Sequence, residues 1–156
     1  NKKIGVIGTK ATIQSGIYEN KLLEKNSTLS LASLETPLLA PMIEEGFFNQ
    51  EISSTIIKNY LNHKKLDKID ILILACTHYP LIENEIISFY NKIDVIDSSE
   101  IVAEYINTEL RESKLLNKSN KPKFNFIISN FTKSFSKSAN FFFKEDISLE
   151  ENDIWK

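Results

Sequence analysis

The run Ile69-Asp-Ile-Leu-Ile-Leu74, followed at once by Ala-Cys-Thr-His-Tyr-Pro80, constrains this chain more than any other stretch. Branched aliphatics stand at nearly every position rather than at every second one. That pattern predicts a strand buried on both faces, as in a parallel sheet. Pro80 suits the first turn of a helix, where its missing N–H costs nothing. The strand thus delivers a thiol (Cys76), a hydroxyl (Thr77) and an imidazole (His78) to the carboxyl edge of a sheet, beside a helix N-terminus. Open α/β sheets bind ligands at that edge. Helix N-termini favour anions and lower thiol pKa values, so Cys76 is expected to ionise readily next to His78.

The other elements follow from periodicity and punctuation. Ile4–Ile7 reads as a short buried strand, and Thr9 as the cap of a helix from about Lys10, with Ile13 and Ile17 at helical spacing. Thr28–Ser33 is a second strand. Pro37 and Pro41 predict a loop that carries Glu44, Glu45 and Gly46. Ile52, Ile56, Ile57, Tyr60 and Leu61 line one face of an amphipathic helix. A helix from about Pro80 to Tyr90 follows the cysteine strand, then a strand at Ile93–Ile96. Asp97 and Glu100 resemble a capping box for a helix that buries Ile101, Val102, Tyr105, Ile106 and Leu110. After a lysine-rich loop at 116–121 come a strand at Phe124–Ile128, a helix at Lys133–Phe143, and a last short strand in the tail that holds Ile147, Leu149, Ile154 and Trp155. Strands alternate with helices throughout, so the fold class is α/β with a parallel sheet.

Composition excludes several classes. At 156 residues, with 42% hydrophobic and 26% charged residues, the chain is one globular domain's worth. A net charge of −2, with Arg111 as the only arginine, leaves no basic footprint, so nucleic acid is not expected as a partner. No apolar run approaches membrane-spanning length and there is no signal-peptide pattern, so neither a membrane partner nor export is expected, and a cytoplasmic location fits. A single cysteine cannot form an internal disulfide. One Cys and two His at unrelated positions make no metal site.

Each candidate residue also has a plainer reading. A lone cysteine that ends an apolar strand is most often a small buried hydrophobe. His78, Thr77, Thr9 and Thr12 are all residue types that cap helices, and Glu44 would pass for an exposed loop carboxylate. Gly5-Val-Ile-Gly8 lacks the third glycine of a dinucleotide fingerprint. His63 lies in a solvated charged connection and is assigned nothing.

The motif Leu74-Ala-Cys-Thr-His-Tyr-Pro-Leu81 resembles the second cysteine motif of the glutamate racemases, in the wider aspartate/glutamate racemase superfamily. Ile4-Gly-Val-Ile-Gly-Thr-Lys-Ala-Thr-Ile-Gln-Ser15 and Ala40-Pro-Met-Ile-Glu-Glu-Gly46 agree in the right order. The likeness covers about the first hundred residues well and the rest weakly. It implies an enzyme that interconverts L- and D-glutamate without a cofactor and supplies D-glutamate for peptidoglycan. It implies two cysteines on opposite faces of the substrate, one removing the α-proton as thiolate and the other returning one as thiol. On that reading Cys76 is one of the pair, His78 and Glu44 assist it, and Thr77, His78, Thr9 and Thr12 hold the substrate. The intact enzymes of this family are commonly homodimers of two α/β lobes.

The resemblance further implies that residues 1–92 form the second, inserted lobe and that residues 93–156 return to the first, whose beginning carries the other cysteine. The chain begins at Asn1 and its only methionine is Met42, so it is expected to be the carboxyl-terminal part of a longer protein, inactive alone. Other readings stay open: a racemase for aspartate or another amino acid, a non-catalytic α/β binding module, or a single-cysteine redox or acyl-transfer enzyme. The histidine after Cys76-Thr77, together with Pro41-Met-Ile-Glu44, leans toward glutamate.

Overall fold

The computed structural model describes residues 2–48, 50–90, 92–117, 119 and 121–153. Its centre is a four-stranded sheet of β1 (Lys3–Gly8), β2 (Ser30–Glu35), β3 (Ile71–Ala75) and β4 (Asp94–Asp97), in the order β2-β1-β3-β4 with every pair parallel. β1 and β3 occupy the middle and are buried on both faces, as the aliphatic run predicts. Side-chain alternation splits their residues between two apolar layers. Ile7, Leu72 and Leu74 face one layer with Leu39, Ile43, Ile57, Tyr79, Ile82 and Ile86. Ile4, Val6, Ile73 and Ala75 face the other, against Ile13, Tyr18, Leu22 and Leu31. β4 lies beyond the expected division at residue 92, yet it is hydrogen-bonded to β3 as the sheet's outer strand.

The helices are α1 (Lys10–Gln14), α2 (Ile17–Lys25), α3 (Leu39–Glu44), α4 (Glu51–Leu61), α5 (Glu83–Tyr90), α6 (Ser98–Glu112) and α7 (Lys133–Phe143). The periodicity that runs from Ile13 to Leu23 is cut in two, because Gly16 takes a left-handed backbone (φ 65°) and caps the start of a new helix. The loop expected after Pro37 is a correction: residues 39–44 are helical. Pro41 is the third residue of α3, and N–H groups in a first turn have no partner within the helix, so proline breaks nothing there. α3 ends in a Schellman motif. Gly46 has φ 78°, its N–H bonds the Ile43 carbonyl at 2.9 Å, and the Phe47 N–H bonds the Met42 carbonyl at 2.9 Å.

Two predicted faces need correction. α4 buries Ile57 and Leu61 but leaves Ile52 58% exposed. On α6 Asp97 caps the helix through the Ser99 N–H at 2.7 Å, as expected, but the apolar stripe is open, from 36% at Leu110 to 64% at Tyr105. Helical spacing detects a stripe, not what covers it, and nothing among the described residues covers this one. β5 (Phe126–Ile128) and β6 (Leu149–Glu151) pair in parallel as a separate two-stranded sheet. Thr132 caps α7 by accepting the Phe135 N–H at 3.1 Å. Leu149 of the expected tail strand lies in β6; Ile154 and Trp155 lie outside the described residues.

Candidate active site

Parallel pairing brings distant residues together at one edge. Gly8 and Ala75 are register partners at the carboxyl ends of β1 and β3, so the next residues, Thr9 and Cys76, leave the sheet side by side. The approach favours a glycine: a Cβ on Gly8 would sit 3.1 Å from the Ala75 carbonyl oxygen and 3.3 Å from Ile13 Cδ1, a tight fit. Thr9 then caps α1, accepting the Thr12 N–H at 3.2 Å, and the two hydroxyls lie 2.9 Å apart. α3 brings Glu44 back over the same edge. The result is a cavity of about 450 Å³ lined by Thr9, Thr12, Tyr18, Ala40, Glu44, Ala75, Cys76, Thr77, His78 and Ser98. All six residues singled out from the sequence line it.

Three of them stand in a row. His78 Nε2 is 3.1 Å from Glu44 Oε1, and His78 Nδ1 is 3.7 Å from Cys76 Sγ. A carboxylate only accepts, so the Glu44 bond puts a proton on Nε2. In the neutral ring Nδ1 is then an acceptor, and it faces the thiol. Glu44 thereby selects the tautomer whose Nδ1 lone pair faces the Cys76 thiol. Thr9, Thr12, Thr77 and Ser98 are hydroxyl-bearing residues of the lining.

The expected easy ionisation of Cys76 is not found. The thiol is partly buried, and its pKa is raised from the ordinary value of 9.0, chiefly by that burial and further by the Glu44 charge. The backbone N–H groups of His78 and Tyr79 pull the other way without winning. The local geometry also departs from the expected helix start. Residues Tyr79–Ile82 form a short 3-10 turn, with Pro80 in its first turn, and α5 proper begins only at Glu83. The aligned dipoles of the helix therefore start a turn away from the thiol, and the effect falls off within a turn.

A second, apolar cavity of about 530 Å³ adjoins the first and shares Glu44, Thr77 and His78 with it. Its far wall is α7, through Phe135, Phe142 and Phe143, and Ser138 Oγ donates to the Glu44 carbonyl at 3.2 Å. Sequence reasoning missed this wall because nothing local ties residues 133–143 to residue 44. It also missed Ser98, for which a signal existed: Ser98 directly follows β4, as Cys76 follows β3. Among the described residues no group of three or more His, Cys, Asp or Glu can hold a metal ion, and no helix is long and apolar enough to cross a membrane.

A family model described as Asp/Glu/Hydantoin racemase matches residues 1–106. A glutamate racemase from Persephonella marina is 36% identical over the whole chain, which covers 58% of that relative. Among solved structures, a glutamate racemase isoform from Bacillus anthracis aligns with a TM-score of 0.88 at 34% identity, over 97% of this chain and 57% of that one. A glutamate racemase from Francisella tularensis, solved in complex with D-glutamate, aligns with a TM-score of 0.86 at 33% identity over the same shares. The chain spans about half the length of the curated relatives it matches.

Proposed function

The chain belongs to the Asp/Glu/Hydantoin racemase family, and on that premise we propose that it supplies one half of a glutamate racemase active site, with Cys76 as one of two opposed proton-transfer thiols. The observation that carries this reading is the single cavity in which Cys76 meets His78, Glu44, Thr9 and Thr12. The D-glutamate held by the Francisella relative supports the choice of substrate. The product would serve peptidoglycan synthesis.

In the reaction, one thiolate takes the α-proton and becomes a thiol. The α-carbanion then takes a proton from the second thiol on the opposite face, and that sulfur becomes the thiolate. Protons and charge balance, and the carbon is inverted with no cofactor. Burial favours the neutral form of Cys76, which is the form that donates. When Cys76 must act as base, His78 at 3.7 Å is placed to accept its proton first. The hydroxyls and N–H groups of Thr9, Thr12 and Thr77 would hold the substrate carboxylate and spread developing charge. The first lobe's thiol would face Cys76 across the cavity. In this reading β1 to β4 form one lobe, and the later part of the chain belongs with the other.

The chain has one cysteine, so by itself it should not racemise glutamate. The test follows the circular dichroism of L-glutamate with the purified chain, and with a longer protein that joins it to a lobe bearing a second cysteine. Signal decay only in the longer protein is expected. Turnover by the chain alone would sink the two-thiol account.

A further inference from the structure

Among the described residues only two polar side chains other than Tyr79 are fully buried, and one of them, Thr36, is bonded to Tyr79. Tyr79 Oη and Thr36 Oγ1 are 2.6 Å apart, and Thr36 Oγ1 donates to the Gly8 carbonyl at 3.1 Å. With the Thr36 proton on Gly8, the phenol donates to Thr36 Oγ1. The Thr36 carbonyl lies 3.2 Å from the phenol as a second acceptor. The Thr36 N–H also reaches the Gly8 carbonyl, at 2.9 Å. Burial keeps the phenol protonated, pushing its pKa well above the ordinary range. A buried neutral hydrogen bond nets only about 1 kcal/mol, so a Phe–Val pair would stabilise this core about as well. Stability alone therefore does not account for the pair.

Its position does. Gly8 precedes Thr9, Thr36 leads into α3 and Glu44, and Tyr79 closes the turn that holds Cys76, Thr77 and His78. One pair of hydroxyls thus ties together the three loops that carry the site. Tyr79 also returns its own N–H to the Cys76 carbonyl at 3.1 Å. We propose that Tyr79 and Thr36 are positioning residues for Cys76: the phenol, pinned through Thr36 to Gly8, holds the 76–79 turn so that the sulfur stays within 3.7 Å of His78 Nδ1. The role rests on Cys76 being a working thiol, as proposed above, but it can be read without turnover.

Cys76 is the only cysteine, so alkylation by iodoacetamide reports on it alone. The readout is the rate at neutral pH relative to the alkaline plateau, which isolates thiolate fraction from access. The charged or titratable groups that face this thiol are Glu44 of α3, His78, Tyr79 and Tyr18 of α2, and the Tyr79→Phe and Thr36→Val variants leave Glu44, His78 and Tyr18 in place. In Tyr79→Phe the ring still fills its site, so the burial of the sulfur persists, and only the tie to Thr36 that fixes the thiol beside His78 is lost. The ratio should fall roughly three- to tenfold, the equivalent of one neutral hydrogen bond. Thr36→Val should do the same with the phenol intact, and Thr36→Ser should restore the wild-type ratio. A pair with only a packing role would lower the thermal midpoint and leave the ratio alone. An unchanged or increased ratio in folded Tyr79→Phe or Thr36→Val, or a Thr36→Ser that behaves like Thr36→Val, overturns the proposal. Failure of racemisation in a two-lobed protein would leave this measurement standing.

Discussion

At Cys76, burial and a carboxylate hold the proton on, while two backbone N–H groups and an imidazole offer it a way off. A sulfur so balanced suits the proposed role, in which it begins one direction of reaction as acid and the other as base. Cys76→Ser in a two-lobed enzyme should lower racemisation on the order of 10²- to 10⁴-fold, because serine holds a far less acidic proton. The opposing cysteine can still remove the α-proton from one enantiomer. A glutamate analogue with a leaving group on the β-carbon needs only that removal, since loss of the leaving group then competes with reprotonation. The variant should eliminate from the D-analogue and fail on the L-analogue, read as release of the leaving group. Equal elimination from both would show that Cys76 is not a one-sided base.

At the scale of elements, α4 and α6 carry apolar stripes of the same kind but differ in what they meet. Ile57 of α4 is 2% exposed within the larger core layer, whereas Ile101 of α6 is 54% exposed. Ile57→Ala should cost about 2–5 kcal/mol from lost burial and an unfilled cavity. Ile101→Ala should change stability by no more than about 0.5 kcal/mol, as at other open positions. Urea unfolding of this chain measures both, and a large cost at Ile101 would mean that α6 is covered in solution. The 3-10 turn at Tyr79–Ile82 is the other element with a consequence. It sets α5 back from the thiol, so the backbone N–H groups of two residues, rather than a whole helix, oppose the burial of Cys76.

For the whole molecule, one buried acid (Tyr79) and two partly buried ones (Cys76 and Tyr90) favour the folded state only while they keep their protons. Burial raises Cys76 from 9.0, Tyr79 from 10.0, and Tyr90 from 10.0 to about 12. Each folded value lies above the unfolded one, so the folded state binds these protons more tightly. Their contribution is complete below the unfolded values and is lost as pH rises through the folded ones. The urea midpoint should therefore decline as pH climbs above 9.0 and keep falling toward 12. Tyr90→Phe should flatten the upper part of that decline. A midpoint flat across the range would contradict the burial of these groups.

The readings that the sequence carried by itself are those whose causes are local. Unbroken aliphatics mark β3 as buried on both faces, Thr9 and Asp97 mark helix starts, and Lys133–Phe143 matches α7 from end to end, because periodicity and capping act within a turn or two. The cysteine motif likewise places Cys76, Thr77 and His78 at a strand end by chain order alone. Only the tertiary structure decided that β1 lies against β3, which sets Thr9 beside Cys76, and that α3 rather than a loop swings Glu44 to within 3.1 Å of His78. It also decided that Cys76 resists ionisation and that the α6 stripe stays open. Exclusion of water is a sum over neighbours from every part of the chain, and no spacing within one segment contains that sum.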